Sequence, residues 1–536
     1  MNKKNARIAG ILLPIASLNS PYGIGTLGKQ AYRFVDFLEK SGQKCWQILP
    51  IGPTSYGDSP YQSFSAFAGN PYFIDLDTLI SEKLITKGFV SSFDWGSNPI
   101  RCDYEKIYTS RFKVLRKAFE NFTKEEHKGF EKFKKKNRFW LEDYTLYMAV
   151  KVHFENKSWM EWEDDIRLRR DSAVKRYKKL LSDELEFWAF VQFKFFEQWK
   201  KLKAYANEKG IKIIGDIPIY VATDSADVWA NHEQFLLNDD HRPTLVAGCP
   251  PDYFSEDGQL WGNAIYDWSF MKKDSFSWWK NRISFSAMIY DTIRIDHFIG
   301  IVRYYGIPAD SKSAKVGKYY KGPGMKLIKA IDEARGECTI IAEDLGAVTD
   351  SVRKLIERSG YPGMKILQFA FGSDTDNEHL PMNYTRNLCV YPGTHDNDTL
   401  ATAISNMDIK TKKYLLSYLG KDNADGLVFE LIRLLYASVA NTAIVQLQDI
   451  LELDNSSRMN IPSTLGGNWE WRIKGNELTS ELSRKLRKLS EIYGRAIPKE
   501  KPAVKKALTA DISSSTDVTE NVSENINSED SDEQLH

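Results

Sequence analysis

Four short apolar runs in this sequence each end in polar or ionisable side chains, and that repeat constrains the fold more than any single motif. They are Ile211-Lys-Ile-Ile-Gly-Asp-Ile-Pro-Ile219, Asp291-Thr-Ile-Arg-Ile-Asp-His-Phe298, Cys338-Thr-Ile-Ile-Ala-Glu-Asp344 and Leu388-Cys-Val-Tyr-Pro-Gly-Thr-His-Asp-Asn-Asp398. β-Branched residues are frequent in them, as in buried strands, and longer segments separate them. Strands decorated at their ends and spaced this way predict a (β/α)8 barrel, whose active site lies where the C-terminal strand ends meet.

The run at 291–298 is the sharpest. Arg294 stands two residues before Asp296, so in a strand both side chains project to the same side. A neighbouring guanidinium keeps a carboxylate ionised and oriented, as a nucleophile requires, although a structural ion pair would look the same in isolation. Glu343 has no basic residue beside it and suits a carboxylic acid whose pKa is raised. Cleaving or remaking a glycosidic bond needs these two species, one at the anomeric carbon and one at the bridging oxygen. His395 and Asp396 could hydrogen-bond sugar hydroxyls as charge develops on the ring. This many carboxylates would also suit a divalent metal, and spacing alone leaves that open.

Net charge is +1, from 73 basic and 72 acidic residues, which argues against a nucleic-acid partner and for a neutral substrate. Aromatic residues make up 13%, and flat amphipathic rings suit sugar faces. The five cysteines lie far apart with no C-x-x-C pair, so neither a disulfide framework nor a zinc site is indicated and a reducing compartment is expected. The start mimics a signal peptide, with Lys3, Lys4 and Arg7 before an apolar run, but Pro14 and Ser17 interrupt it and no small-x-small site follows. No apolar stretch approaches the roughly 20 residues of a membrane span, so the reading is of a cytoplasmic protein without a membrane partner.

In chain order, residues 8–13 read as a strand, Gln30–Lys40 as a helix and Cys45–Leu49 as a strand. Ile51–Asn70 is a long loop rich in Gly, Pro, Ser and Tyr that includes Tyr61, and Tyr72–Leu76 reads as a further strand. Helical periodicity marks Tyr104–Phe122, Lys124–Leu141 and Ser182–Lys209, within an insert at about 78–205. Its basic runs, Lys134–Lys136 and Arg167–Lys179, read as solvated helix faces offset by nearby acids. A second insert is expected at about 225–285. It holds the loop Ala247–Asn263, whose Tyr253, Phe254 and Trp261, with Asp252 nearby, read as a stacking platform. Lys365–Ala370 and Ala443–Leu447 supply later strands, and Arg458–Pro462 and Asn468–Arg472 a closing loop and turn. The expectation is a catalytic (β/α)8 TIM barrel over 1–497, with mainly helical inserts around the cleft. An acidic tail at 498–536 cannot bury a core and is expected to be disordered.

The order Asp216, Arg294-x-Asp296-His297, Glu343, Thr394-His395-Asp396 resembles the four short regions of the α-amylase superfamily. Longer motifs resemble glycoside hydrolase family 77, the 4-α-glucanotransferases or amylomaltases. These are Gly52-Pro-Thr-Ser-Tyr-Gly-Asp-Ser-Pro-Tyr61, Pro250-Pro-Asp-Tyr-Phe-Ser255, Trp261-Gly-Asn263, Arg294-Ile-Asp-His-Phe298, Ala342-Glu-Asp-Leu-Gly346 and Thr394-His-Asp-Asn-Asp398. The similarity runs from about residue 7 to 495. It implies that Asp296 is the nucleophile, Glu343 the acid/base and Asp396 the stabiliser of the oxocarbenium-like state. Arg294, His297 and His395 would position the sugar ring at the cleaved bond, with Asp216 in support. Tyr61, Asp252, Tyr253, Phe254 and Trp261 would lie over the glucan. It further implies no cofactor and no metal, and substrates among maltooligosaccharides and starch- or glycogen-like glucans; a monomer or homodimer is expected. The chain departs from the family pattern at Ile299, where many members carry arginine, and at Ser463, where glycine is usual. An α-amylase-like hydrolase with a leakier lid is the nearest rival, and a glucan-binding protein without catalysis is the rival of another class.

Overall fold

Period-two alternation in the apolar runs builds eight parallel strands. They are Ile8–Leu12 (β1), Cys45–Gln47 (β2), Lys212–Pro218 (β3), Thr292–Asp296 (β4), Thr339–Ala342 (β5), Gly363–Ile366 (β6), Leu388–Tyr391 (β7) and Thr442–Gln446 (β8). The computed structural model describes residues 7–496 apart from Tyr56, 123–127, 252–255 and Ala347. Neighbours run β6-β7-β8-β1-β2-β3-β4-β5, all parallel, with β1 paired to β8 at five positions. Across the remaining seam, the Ala342 N–H donates to Pro362 O (2.9 Å), and Asp344 Oδ1 accepts the Met364 N–H (2.6 Å). The chain is thus a (β/α)8 barrel.

One set of alternating side chains fills the barrel. Leu12, Cys45, Ile214, Ile341, Met364, Ile366, Cys389 and Ile444 form one buried cluster. The other set, among them Ile11, Ile213, Ile293, Ile340, Val390 and Val445, belongs to the larger core. Each such side chain contributes on the order of 1.5–3 kcal/mol by leaving water. Two residues on from Ile214 and Ile341 come Asp216 and Glu343, so the alternation that packs the interior also delivers ionisable groups to its C-terminal mouth. The first five residues of the apolar run that mimics a leader, Ile8–Leu12, form β1.

The segment between β2 and β3 is largely helical, with helices including Leu76–Ser81, Tyr104–Phe122, Lys128–Lys136, Arg138–His153 and Ser182–Glu208. Two glutamines of the last hold the backbone of the long loop and of the helix cap that follows it. Gln192 exchanges bonds with Gly69 N–H (2.7 Å) and C=O (2.9 Å), and Gln198 with Asp75 N–H (2.7 Å) and C=O (3.2 Å). Each amide side chain thereby mimics a strand neighbour.

Tyr72–Leu76 is not a strand. A 3₁₀ turn at Pro71–Phe73 is capped by Asn70, and Asp75 caps the helix Leu76–Ser81 through the Thr78 N–H (2.8 Å). These caps outweigh the β propensity of Tyr72, Phe73 and Ile74. The single helix read over Lys124–Leu141 is divided at Asn137 among the described residues. Of the run read as a strand over Lys365–Ala370, only Lys365 and Ile366 are strand, as the end of Gly363–Ile366, and Leu367–Phe369 turn in 3₁₀ form. A four-stranded antiparallel sheet also walls the cleft, in the order Gln259–Ala264, Leu245–Cys249, Arg303–Pro308, Lys318–Lys321. The chain divides at Ile497/Pro498, and the acidic tail lies outside the described residues.

Candidate active site

Strand register makes the first contact. Arg294 on β4 lies directly opposite Asp216 on β3, and Pro218 opposite Asp296. The Arg294 guanidinium therefore reaches both carboxylates, with Nη1 2.6 Å from Asp216 Oδ2 and Nη2 2.8 Å from Asp296 Oδ1. Asp216 is sealed from solvent, whereas the Asp296 side chain keeps 29% exposure toward the cleft. Burial pushes the Asp216 carboxyl up to about 6, against the pull of Arg294 and of the Tyr61 hydroxyl, which donates to Oδ2 (2.9 Å). One cation thus serves two acids, of which only Asp296 faces the cleft.

After Asp296 the backbone turns through His297 in the left-handed region (φ 51°), rare outside glycine. This aims the His297 N–H at Glu343 Oε2 (2.6 Å), while the Leu345 N–H reaches Oε1 (2.7 Å). Glu343 follows β5, and its own N–H donates to Ile295 O (3.1 Å), so it sits across from Asp296. Burial first, and then the Asp296 charge, push Glu343 up to about 8, with Arg294 and the two N–H groups pulling the other way. Burial pushes His297 down to about 4, so its imidazole is neutral at physiological pH. The Trp261 ring meets that imidazole edge-on at 4.8 Å.

Asp396 arrives on the loop after β7. Its Oδ1 accepts from Asn460 Nδ2 (2.6 Å), and its Oδ2 lies 3.4 Å from His395 Nε2. The His395 ring stacks on Tyr61 at 5.2 Å. Gln62 ties the two cleft-side loops together, donating to Trp261 O (3.1 Å) and Asn263 Oδ1 (3.0 Å). Tyr61, Trp261, Asp296, His297, Glu343, His395 and Asp396 line one cleft of about 420 Å³, with Asp216 and Arg294 supporting it from below. Asp252, Tyr253 and Phe254 lie outside the described residues. Among the described residues, no group of three or more His, Cys, Asp or Glu side chains is placed to hold a metal ion.

Sequence reasoning assigned no role to Asn460, Gln62 or Trp469, all of which line this cleft. For Asn460 and Trp469 a signal existed, since the segment after β8 must emerge at the same barrel mouth. Ser463 adopts φ 64°, a conformation that costs a non-glycine residue about 1–2 kcal/mol and accounts for the usual glycine there.

An arginine-held carboxylate facing a carboxylic acid with a strongly raised pKa can perform acid-assisted displacement at an acetal carbon. If Glu343 must carry the proton, kcat/KM for a glucan donor should fall as pH rises through about 8, because the protonated form is lost there. A pH–rate profile with the alkaline limb near 5 would place the proton on another group.

The family model described as 4-alpha-glucanotransferase matches residues 13–479. The 4-alpha-glucanotransferase of Clostridium butyricum is 50% identical over 483 residues, covering 90% of this chain and 99% of that protein. That of Streptococcus pneumoniae serotype 4 is 49% identical over 492 residues, covering 91% and 97%. Among solved structures, amylomaltase from Streptococcus agalactiae in complex with acarbose superposes with a TM-score of 0.89 at 42% identity, covering 91% of this chain and all of that one. With one family's pattern spanning the barrel and its mouth, the chain belongs to the 4-alpha-glucanotransferase family.

Proposed function

We propose that this 4-alpha-glucanotransferase moves a segment of a 1,4-α-glucan to the 4-hydroxyl of glucose or another glucan by retaining double displacement on Asp296. Protonated Glu343 donates to the bridging oxygen as Asp296 attacks the anomeric carbon, and the reducing-end fragment departs. The donor segment is then held as a β-glucosyl ester of Asp296. Glu343, now a carboxylate, takes the proton from an incoming 4-hydroxyl, and that oxygen displaces Asp296 to restore the α configuration. Asp396 and His395 hold hydroxyls of the ring that carries the developing positive charge. Maltooligosaccharides and starch- or glycogen-like glucans are the substrates.

The observation that carries this reading is the division between the two central carboxyls. Asp296 takes the guanidinium, and Glu343 takes two backbone N–H groups in a site whose burial favours the neutral acid. Transfer over hydrolysis follows from crowding: a sugar hydroxyl held beneath the loops tied by Gln62 has a higher effective concentration than stray water.

Incubation with maltotriose alone tests this. The expected result is a ladder of longer maltooligosaccharides plus glucose, with no net gain in reducing ends. Glucose and maltose with rising reducing ends would mean hydrolysis and reject the crowding argument.

A further inference from the structure

The segment after β8 reaches back to the loop that carries Asp396. Arg458 forms an ion pair with Asp398, and its Nη2 donates to the main-chain O of Asp396 (2.6 Å). Its Nε donates to Asn460 O (2.8 Å), which turns the Asn460 amide onto Asp396 Oδ1. Asn460 N–H also donates to His395 O (3.1 Å). On the far side, Asp398 accepts from Asn455 Nδ2 (2.8 Å) through Oδ1 and from Gln368 Nε2 (2.8 Å) through its main-chain O. The Asp396 carboxylate itself is 44% exposed to the cleft, whereas Arg458 is only 17% exposed. Asp396 is therefore an exposed side chain on a backbone clamped from behind by a mostly covered guanidinium.

We infer that Arg458 is a positioning residue for the glucanotransferase reaction, setting the direction of the Asp396 carboxylate by gripping Asp398 and the Asp396 carbonyl at once. The inference rests on the role proposed above for Asp396. A planar fork can satisfy a carboxylate and a carbonyl together; an ammonium can neutralise Asp398 but cannot reproduce both directions. Arg458 touches no reacting atom, so its effect has to pass through Asp396 and appear in the transition state rather than in glucan binding.

The experiment is a mutant cycle on maltotriose disproportionation with R458A, R458K, D396N and R458A/D396N, reading kcat, KM and melting temperature. R458A should lower kcat about 10²-fold with KM changed less than threefold. R458K should regain most of the melting temperature lost in R458A while kcat stays low. The double variant should be no slower than D396N, because a clamp on a missing carboxylate has nothing left to position. A double variant slower than D396N by the full R458A factor, or R458K with wild-type kcat, would overturn the inference. If D396N alone keeps wild-type transfer, the proposed role of Asp396 fails, and the inference fails with it by a separate reading. Should R458A not fold, R458K against D396N decides the matter.

Discussion

Replacing Glu343 with Gln should slow transfer from maltotriose by about 10²–10⁴-fold, the usual worth of a positioned general acid. The same variant should still be glycosylated by α-glucosyl fluoride, because fluoride leaves without a proton. The second half-reaction then lacks its base, so a glucosyl ester should build up on Asp296 and appear as an added mass on the peptide holding that residue. Gln cannot accept from both the His297 and Leu345 N–H groups, so one buried donor loses its partner at a cost of about 1–3 kcal/mol. A lower melting temperature is therefore expected alongside the kinetic effect and does not explain the donor dependence. If fluoride and maltotriose suffer equally, Glu343 is not the acid.

Asp296→Ala should remove transfer almost wholly, on the order of 10⁵-fold or more as for other covalent nucleophiles, while calorimetry still detects maltooligosaccharide binding. The stereochemistry of rescue identifies the missing group. With α-glucosyl fluoride, azide entering the space left by Asp296 attacks from the nucleophile's side and gives the β-glucosyl azide. Azide replacing a missing acid/base would instead open the covalent ester and give the α product. An α azide from D296A, or unaided transfer, would take the nucleophile away from Asp296. Arg294 keeps Asp216 as a partner in this variant, so no unpaired buried cation is created.

The legible part of the site was the part written within single strands. Arg294 and Asp296 declare their shared direction by a spacing of two, and the raised pKa of Glu343 is announced by the lack of a basic neighbour in sequence. What joins them was not legible, because it depends on register and on backbone direction. That Asp216 meets Arg294 follows from pairing across β3 and β4. That Glu343 is held by the His297 N–H follows from one left-handed residue, which histidine does not advertise. Asn460 lies 64 positions from Asp396. The strand misread at Tyr72–Leu76 shows the opposite weakness, since local β propensity there yields to two capping side chains.

The pairing of β1 with β8 has a consequence for how the protein is made. Ile8 and Thr442 are partners, yet 442 − 8 = 434 residues separate them. At about 5–20 residues per second, a ribosome needs roughly 20–90 s to deliver β8 once β1 has emerged. Throughout that interval Asp216, Asp296, Glu343 and Asp396 are synthesised in turn, while one edge of β1 has no lasting neighbour and offers its N–H and C=O groups to any passing strand. Chains released before residue 442 would hold all four of these carboxylates and still lack the stave that closes the ring. Yield in a cell should therefore depend on how well that first edge is shielded during translation.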